Sequence, residues 1–271
     1  MKPGKELKTF LKQTSMMIIN DWGFIQSQAA FYNKNQQVMV NLSSILSENH
    51  IKCKVADLGR DTKGNPILGA CSVSGEARRI LISDTLGGDV EHLNARGRFT
   101  LAHEIGHLAL SHGDQKCSES TFNQWLTTRD KESQANYFAS ALLLPSTAMQ
   151  TALTATDLSL AMIKLLSCKF GASLQATAIR LIKMTKGSFA IVKNDGTTID
   201  WAIKSQEFEY ALHGCIDQNS LAYILSSERP ARKGKVDPEI WISNPSDDIN
   251  CREDSEMFEG FTLTVLNIYE E

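Results

Sequence analysis

The residues best suited to chemistry lie in one short motif, His103-Glu104-Ile105-Gly106-His107. On a helix, side chains four residues apart lie on one face, about 6 Å from each other. Two imidazoles at that spacing can bind one Zn²⁺ at about 2.0–2.1 Å each. Glu104 is turned by about 100° around the helix axis, so it can border the metal without ligating it. The motif therefore predicts two metal ligands, His103 and His107, beside a carboxylate general base that activates water.

A catalytic zinc ion needs three protein ligands and one water, so a third ligand must lie elsewhere. His112 lies five positions after His107, which on a continued helix is about 140° from the metal-facing side. Glu132 lies 25 residues beyond His107 and is followed four residues later by Asn136. That spacing allows Glu132 to ligate the metal while Asn136 hydrogen-bonds a ligand imidazole. Spacing alone explains Glu132 equally well as an acidic residue stabilised at a helix N-terminus.

Two predicted helices must carry these side chains. Residues 94–111 place apolar side chains at spacings of three and four, and Gly113 is predicted to stop the helix. A polar loop is predicted from residue 114 to about 128. The second helix is predicted over 130–144, and Pro145 ends it because proline cannot continue a helix.

Shorter elements are predicted on either side of these helices. A helical period covers 36–48, and the first 50 residues are predicted to be mainly helical. Two further helices are predicted over 157–170 and 173–185, joined at Gly171, with Ser173 as an N-cap. The predicted strands are 51–58, 66–73, 78–83, 189–192, 197–203 and 261–269, with hairpin turns at Ser74-Gly75-Glu76 and Asn194-Asp195-Gly196.

Two segments around the motif resemble the signature blocks of one protein family. RFTLAHEIGHLALSH (98–112) and KESQANYFASALLLP (131–145) are similar to paired blocks of the ImmA/IrrE metallopeptidases. The resemblance covers about residues 36–186 and is best over 96–145. It implies a zincin-like fold in which a small sheet packs on the catalytic helix. It also implies that His103, His107 and Glu132 are metal ligands and that Glu104 is the catalytic residue.

The resemblance also implies a cofactor and a partner. The cofactor is Zn²⁺, although two imidazoles and one carboxylate also suit Mn²⁺ or Fe²⁺. Family members are regulatory proteases that remove a helix-turn-helix transcriptional repressor and so induce a mobile element or a stress response. The expected partner is therefore a protein substrate, a helix-turn-helix repressor. For the oxyanion of the transition state, His112 and Tyr137 are weak candidate donors that the sequence does not rank.

A second hypothesis remains open at this stage. The helices after Pro145 resemble the helix-turn-helix-like segment that follows the peptidase core in such proteins. Residues 151–186 carry five basic side chains and one acid, whereas residues 236–271 carry ten acids and one arginine. The basic segment could meet DNA or an acidic repressor surface, although solvated faces are the simpler interpretation. The alternative function is a non-proteolytic, metal-stabilised regulator that binds a repressor or DNA.

Length and composition set the domain organisation. The 271 residues are 42% hydrophobic and 22% charged with a net charge of -3, which is typical of a globular protein and excludes a disordered or globally basic chain. The predicted class is α+β. We predict a zincin-like metallopeptidase core over 1–145, a helical segment over 146–187, and a smaller β-rich C-terminal domain of unassigned role over 188–271.

The sequence also bears on location. The N-terminal segment has no continuous apolar stretch of signal-peptide length, and no run in the chain reaches the length of a membrane-spanning helix. The six cysteines are scattered without a Cys-x-x-Cys pair, so they are predicted to be reduced thiols. The sequence therefore predicts a cytoplasmic protein without a membrane partner.

Overall fold

The computed structural model describes residues 22–33, 39–118, 130–155, 157–225 and 229–270. Within them the chain is a mixture of helices and two sheets, which confirms the predicted α+β class. The chain divides into two compact units. The first contains the described residues up to Pro145 together with Phe170–Ala172, and the second contains Ser146–Lys169 and the described residues from Ser173 onward.

A four-stranded sheet and four helices form most of the first unit. The sheet order is β1-β3-β2-β4, in which β1 and β3 are parallel and the other neighbours are antiparallel. The elements, with one 3₁₀ turn at Asp84–Leu86, are α1 (Trp22–Tyr32), α2 (Leu42–Glu48), β1 (Ile51–Ala56), β2 (Ile67–Ser74), β3 (Ala77–Ser83), α3 (Ala95–Ala109), β4 (Gln115–Ser118) and α4 (Lys131–Leu143).

The motif helix α3 has defined ends. The Asn94 side chain accepts a hydrogen bond from the Gly97 amide at 2.8 Å and so caps the first turn. At the other end Ser111 has a φ of 58° and Gly113 a φ of 81°, so the chain reverses directly after the helix. The helix predicted over 94–111 is therefore present, but it ends two residues earlier than predicted, at Ala109.

Helices α3 and α4 pack most closely at Gly106. A β-carbon added there would lie 3.0 Å from the Phe138 ring, which is tighter than ordinary van der Waals contact. Phe138 is completely buried, as are Leu101 and Ile105 on α3. The glycine inside the motif therefore lets α3 and α4 approach each other, which offsets the roughly 1 kcal/mol that glycine costs in a helix.

Two predictions in the first unit were wrong in part. The helix predicted over 36–48 begins only at Leu42, because the Asn41 side chain caps it by accepting from the Ser44 amide; residues 36–38 lie outside the described residues.

The polar loop predicted from residue 114 begins instead with strand β4. The sequence does not indicate this strand, because its four residues show no apolar alternation. The rest of that loop prediction, over 119–128, lies outside the described residues, as do residues 1–21 of the predicted helical N-terminus.

The second unit combines helices with a five-stranded antiparallel sheet. Its strand order is β6-β5-β9-β8-β7, so β5 and β9 lie inside the sheet and are mostly buried. The elements, with one 3₁₀ turn at Pro238–Ile240, are α5 (Ser146–Ala155), α6 (Leu160–Phe170), α7 (Leu174–Ile182), β5 (Ser188–Asp195), β6 (Thr198–Lys204), β7 (Ala231–Val236), β8 (Ile249–Phe258) and β9 (Phe261–Glu270).

Strand β8 was missed because its inward face is polar. Glu253 and Ser255 point into the unit and are completely buried, so the strand lacks an alternating apolar pattern. The Glu253 carboxylate accepts hydrogen bonds from the Trp241 indole at 2.8 Å, from the amides of Leu221 and Ala222, and from the Ser255 hydroxyl. Four donors compensate the burial of this charge, so Glu253 organises the core of the β-rich region.

The basic side chains of 151–186 are partly used inside the second unit. Arg180 is 4% exposed and donates to the Ser146 hydroxyl at 2.7 Å. Lys164 forms an ion pair with Glu256 of β8 at 2.6 Å. The basic segment and the acidic C-terminal segment therefore meet each other at this point. None of the helices in the described ranges is long and apolar enough to cross a lipid bilayer.

We expect Glu253→Ala to lower the free energy of unfolding by about 3 kcal/mol, because it leaves several buried donors without an acceptor. Urea denaturation followed by tryptophan fluorescence measures this. Glu259→Ala is the matched control, since that side chain is exposed at the turn before β9, and it should stay within about 0.5 kcal/mol of the parent. Equal urea midpoints for Glu253→Ala and the parent would contradict the assigned role of Glu253.

Candidate metal centre

Three elements of the first unit bring four potential ligand side chains together. Their donor atoms all lie within 4.8 Å of one another, and they belong to His103, His107, Cys117 and Glu132. The two Nε2 atoms of the histidines are 2.9 Å apart. The Glu132 carboxylate lies 3.2 Å from Nε2 of His103 and 3.5 Å from Nε2 of His107. Tetrahedral zinc with bonds of 2.0–2.1 Å separates nitrogen and oxygen ligands by about 3.3 Å, so these three side chains fit one ion.

Cys117 is the member of the cluster that the sequence did not predict. Its Sγ lies 3.1 Å from Nε2 of His103, 3.7 Å from Nε2 of His107 and 3.8 Å from a carboxylate oxygen of Glu132. Around one zinc ion a sulfur and a nitrogen ligand lie about 3.6 Å apart, so the thiol also fits. The available signal is a cysteine ten residues after His107, but it lies in a segment that the sequence predicts to be a polar loop.

The four side chains of the cluster lie on three elements, α3, α4 and β4, and the local structure of each element positions them. The two histidines lie one turn apart on α3, whereas Glu132 lies in the first turn of α4. That turn is fixed by Asp130, whose carboxylate accepts from the Ser133 amide at 2.8 Å. Cys117 lies on β4, where it pairs with Gly69 of β2.

Asn136 fixes the orientation of the first histidine. Nδ1 of His103 donates to Oδ1 of Asn136 at 2.8 Å, and both side chains are buried. With the proton on Nδ1, the lone pair of Nε2 points into the cluster, which is the form that binds a metal. The Glu-x-x-x-Asn spacing of α4 thus places the carboxylate of Glu132 and the amide of Asn136 on the same histidine.

His112 contacts the back of the second histidine. Its Nδ1 lies 2.9 Å from Nδ1 of His107, and its Nε2 lies 3.1 Å from Oε1 of Gln134. Burial, with the charge of His107, lowers the pKa of His112 to about 4, so the ring is neutral near pH 7. A single proton arrangement fits: His107 donates to His112, and His112 donates to Gln134. His112 is near the site because the chain reverses at Ser111. On the continued helix assumed in the sequence analysis, His112 would face away from the metal.

Tyr137, the other donor candidate, has a different environment. Its hydroxyl donates to Oε1 of Gln26 on α1 at 3.1 Å, and its ring packs on Trp22 with a centroid distance of 4.9 Å. The structure thus brings His103, His107, Glu132, Asn136 and His112 into one connected group, while the hydroxyl of Tyr137 is engaged with α1.

Glu104 lies completely buried beside this cluster. Neither of its carboxylate oxygens has a hydrogen-bond partner among the described residues, and the thiols of Cys71 and Cys117 are polar groups close to it. Burial raises the pKa of Glu104, and the positive charge of His103 and His107 opposes that rise. A buried carboxylate without donors is costly, so its oxygens require a water molecule or a cation next to them.

The second carboxylate of the site is ionised. Burial alone would raise the pKa of Glu132, but hydrogen bonds from His103 and His107 and their positive charge hold it well below the usual range. When the two imidazoles are neutral, with their protons on Nδ1, the cluster joins an anionic carboxylate to two imidazole lone pairs next to the buried Glu104. This donor set fits a divalent cation, which would offset the charge of both carboxylates.

Space for Glu104 depends on a glycine in the sheet. A β-carbon on Gly69 would lie 2.6 Å from Oε1 of Glu104 and 2.8 Å from the Thr100 side chain. We expect Gly69→Ala to lower the free energy of unfolding by about 2 kcal/mol through overpacking. Gly88→Ala is the matched control, because nothing lies within 4 Å of its added carbon. Equal thermal midpoints for both variants and the parent would contradict the placement of Glu104 under β2.

Comparisons with known proteins find one family and a similar solved structure. Residues 79–182 match the Peptidase_M78 family, described as the IrrE N-terminal-like domain. No curated protein sequence matches the chain. A solved structure of a Mycobacterium tuberculosis transcriptional regulator is similar, with a TM-score of 0.54, 14% sequence identity, and coverage of 95% of this chain and 78% of that chain. At that identity the likeness is one of fold. The resemblance to the ImmA/IrrE metallopeptidases is confirmed by this match of residues 79–182 to the model of the IrrE N-terminal-like domain.

Proposed function

We propose that this chain is a zinc-dependent regulatory endopeptidase that cleaves a protein substrate. The proposal depends on two observations made together. His103, His107 and Glu132 hold their donor atoms at nearly tetrahedral spacing. The buried Glu104 carboxylate lies beside them, and its oxygens meet no protein hydrogen-bond partner at normal distance and angle among the described residues. Three protein ligands leave one position open, which is the arrangement of catalytic zinc sites. The match of residues 79–182 to a peptidase family supports the same reaction class.

The proposed ligands are His103, His107 and Glu132, with Zn²⁺ favoured over Mn²⁺ or Fe²⁺. The ion, when bound, supplies Lewis acidity that polarises the scissile carbonyl and makes water more acidic. Asn136 and His112 hold the two imidazoles in the tautomer that directs Nε2 into the cluster. These contacts keep the ligand geometry in place before any substrate binds.

Glu104 would perform the proton transfers. Its carboxylate accepts a proton from the attacking water and returns that proton to the leaving amide nitrogen. The raised pKa that burial gives Glu104 suits this exchange, because a base with a pKa nearer neutrality also serves well as the subsequent acid. Within the described residues its polar neighbours are the thiols of Cys71 and Cys117, which are weak donors and compete little with a water molecule.

For the substrate we infer a helix-turn-helix transcriptional repressor in the cytoplasm. The inference comes from the resemblance to ImmA/IrrE proteins, and the structurally similar mycobacterial protein is itself named a transcriptional regulator. Direct DNA contact by 151–186 is disfavoured, because Arg180 is buried against Ser146 and Lys164 is paired with Glu256. The basic segment therefore has fewer free cations than its sequence suggests.

One observation favours the alternative function. Cys117 offers a fourth protein donor, and zinc sites closed by four protein ligands are usually structural. On that interpretation the ion would stabilise the first unit, and the chain would regulate by binding a repressor without cutting it. The two functions differ in whether Glu104 is needed for cleavage.

Cleavage that depends on Glu104 tests the proposal. Zinc content and cleavage of a proteome-derived peptide library would be measured for the parent and for Glu104→Gln. We expect one zinc per chain in both proteins and at least about a 100-fold loss of cleavage in the variant, since general acid–base catalysis contributes that much. Glu91→Gln, which changes an exposed acid before α3, is the control and should cleave like the parent.

The substrate class is tested with the helix-turn-helix repressor encoded nearest to this chain. Fragments that form with the parent and disappear with chelator or with Glu104→Gln would support the proposal. Stoichiometric binding of the intact repressor, with no peptide cleaved by any variant, would instead establish the non-proteolytic function.

A further inference from the structure

Cys117 lies where the proposed mechanism needs an open position. The residue is completely buried, and its sulfur is 3.1 Å from Nε2 of His103, close to the other two donors. We propose that Cys117 is a fourth ligand of the metal and that this ligand keeps the resting peptidase latent. The proposal rests on the proposed function, because latency has meaning only for an enzyme.

The chemistry of the donor set supports four-coordinate closure. The thiol of Cys117 loses its proton to solvent as sulfur donates an electron pair to the metal, and no oxidation or reduction takes place. One thiolate and the Glu132 carboxylate then balance the two positive charges of the ion, so the set of four ligands and the ion is neutral. Thiolate and imidazole ligands also suit zinc better than Mn²⁺.

The position of Cys117 relative to Glu104 explains how the thiol would block turnover. Gly69 pairs with Cys117 across β2 and β4 and lies directly over the Glu104 carboxylate. The sulfur is thus near both the metal-binding donors and the proposed general base. A thiolate at this place fills the space that the attacking water needs between those two groups.

Strand β4 provides a short element that can withdraw the thiol. It has four residues, lies at the edge of the sheet, and within the described part of the chain pairs only with β2. The pairing register between β2 and β4 also shifts between Ile67 and Gly69, and Gly69 is the residue that pairs with Cys117. Short, interrupted edge strands open at low cost compared with global unfolding. Activation would therefore require a local displacement of β4 and leave the helices in place.

Ligation by the thiol is tested without measuring activity. The full chain would be loaded with Co²⁺ in place of zinc and its absorption recorded. We expect a thiolate-to-cobalt charge-transfer band in the near ultraviolet for the parent. The band should be absent from Cys117→Ser and Cys117→Ala, and retained by Cys71→Ser, a buried cysteine of the same sheet outside the four-donor cluster. A parent protein that binds cobalt without this band overturns the proposal.

Latency is tested by cleavage of the same peptide library. Cleavage by Cys117→Ser should rise at least about tenfold, as expected if fewer than a tenth of parent molecules have an open site. The double variant Glu104→Gln with Cys117→Ser should not cleave. If the band is present but both Cys117 variants cleave no faster than an active parent, latency is wrong and the peptidase assignment stands. If no variant cleaves any peptide, the peptidase assignment itself is wrong, and latency with it.

Discussion

Two carboxylates close to the same pair of histidines, one completely buried and one partly buried, are the constraint on which the first unit depends. Glu104 is completely buried, and Glu132 lies within hydrogen-bond range of both histidines. Burying like charges together is unfavourable unless cations and donors compensate them. Glu132 has two imidazoles as partners, whereas among the described residues the polar groups beside Glu104 are the weakly donating thiols of Cys71 and Cys117. A divalent ion bound by the donors next to it would offset charge at this place, which is the physical basis of the proposed metal site.

The surrounding structure serves to keep that pocket rigid. Gly106 lets α4 approach α3 so that Glu132 reaches the histidines, and Gly69 leaves room for Glu104 under the sheet. Asn136 and His112 orient the two imidazole rings through hydrogen bonds to Nδ1 of His103 and Nδ1 of His107. Each support is a small, local contact, but together they hold donors from separate elements at the spacing that one ion requires.

The sequence revealed the site to the extent that local periodicity carries it. The spacing of His103 and His107 on an amphipathic helix predicted that their side chains meet, and Pro145 marked the end of α4 correctly. The prediction of Glu132 as their partner needed the family resemblance, because spacing alone explains it equally well as an N-terminal acid. Cys117 escaped detection because β4 exists only through its pairing with β2, which is a tertiary interaction.

Other differences have the same physical origin. His112 reaches His107 through the positive φ of Ser111, which no helical periodicity can anticipate. Strand β8 was hidden because a buried glutamate with four donors replaces apolar residues on its inner face. In the second unit the opposite charges of two segments, which looked like separate surfaces in the sequence, are joined at Lys164 and Glu256.

The most direct measurement is an anomalous difference map, recorded at the zinc absorption edge from crystals of the purified full chain. The account predicts one strong peak bonded to Nε2 of His103, to Nε2 of His107 and to the carboxylate of Glu132, at about 2.0–2.2 Å from each. A peak elsewhere, or a Glu132 carboxylate turned away from both imidazoles in a zinc-loaded crystal, would contradict it.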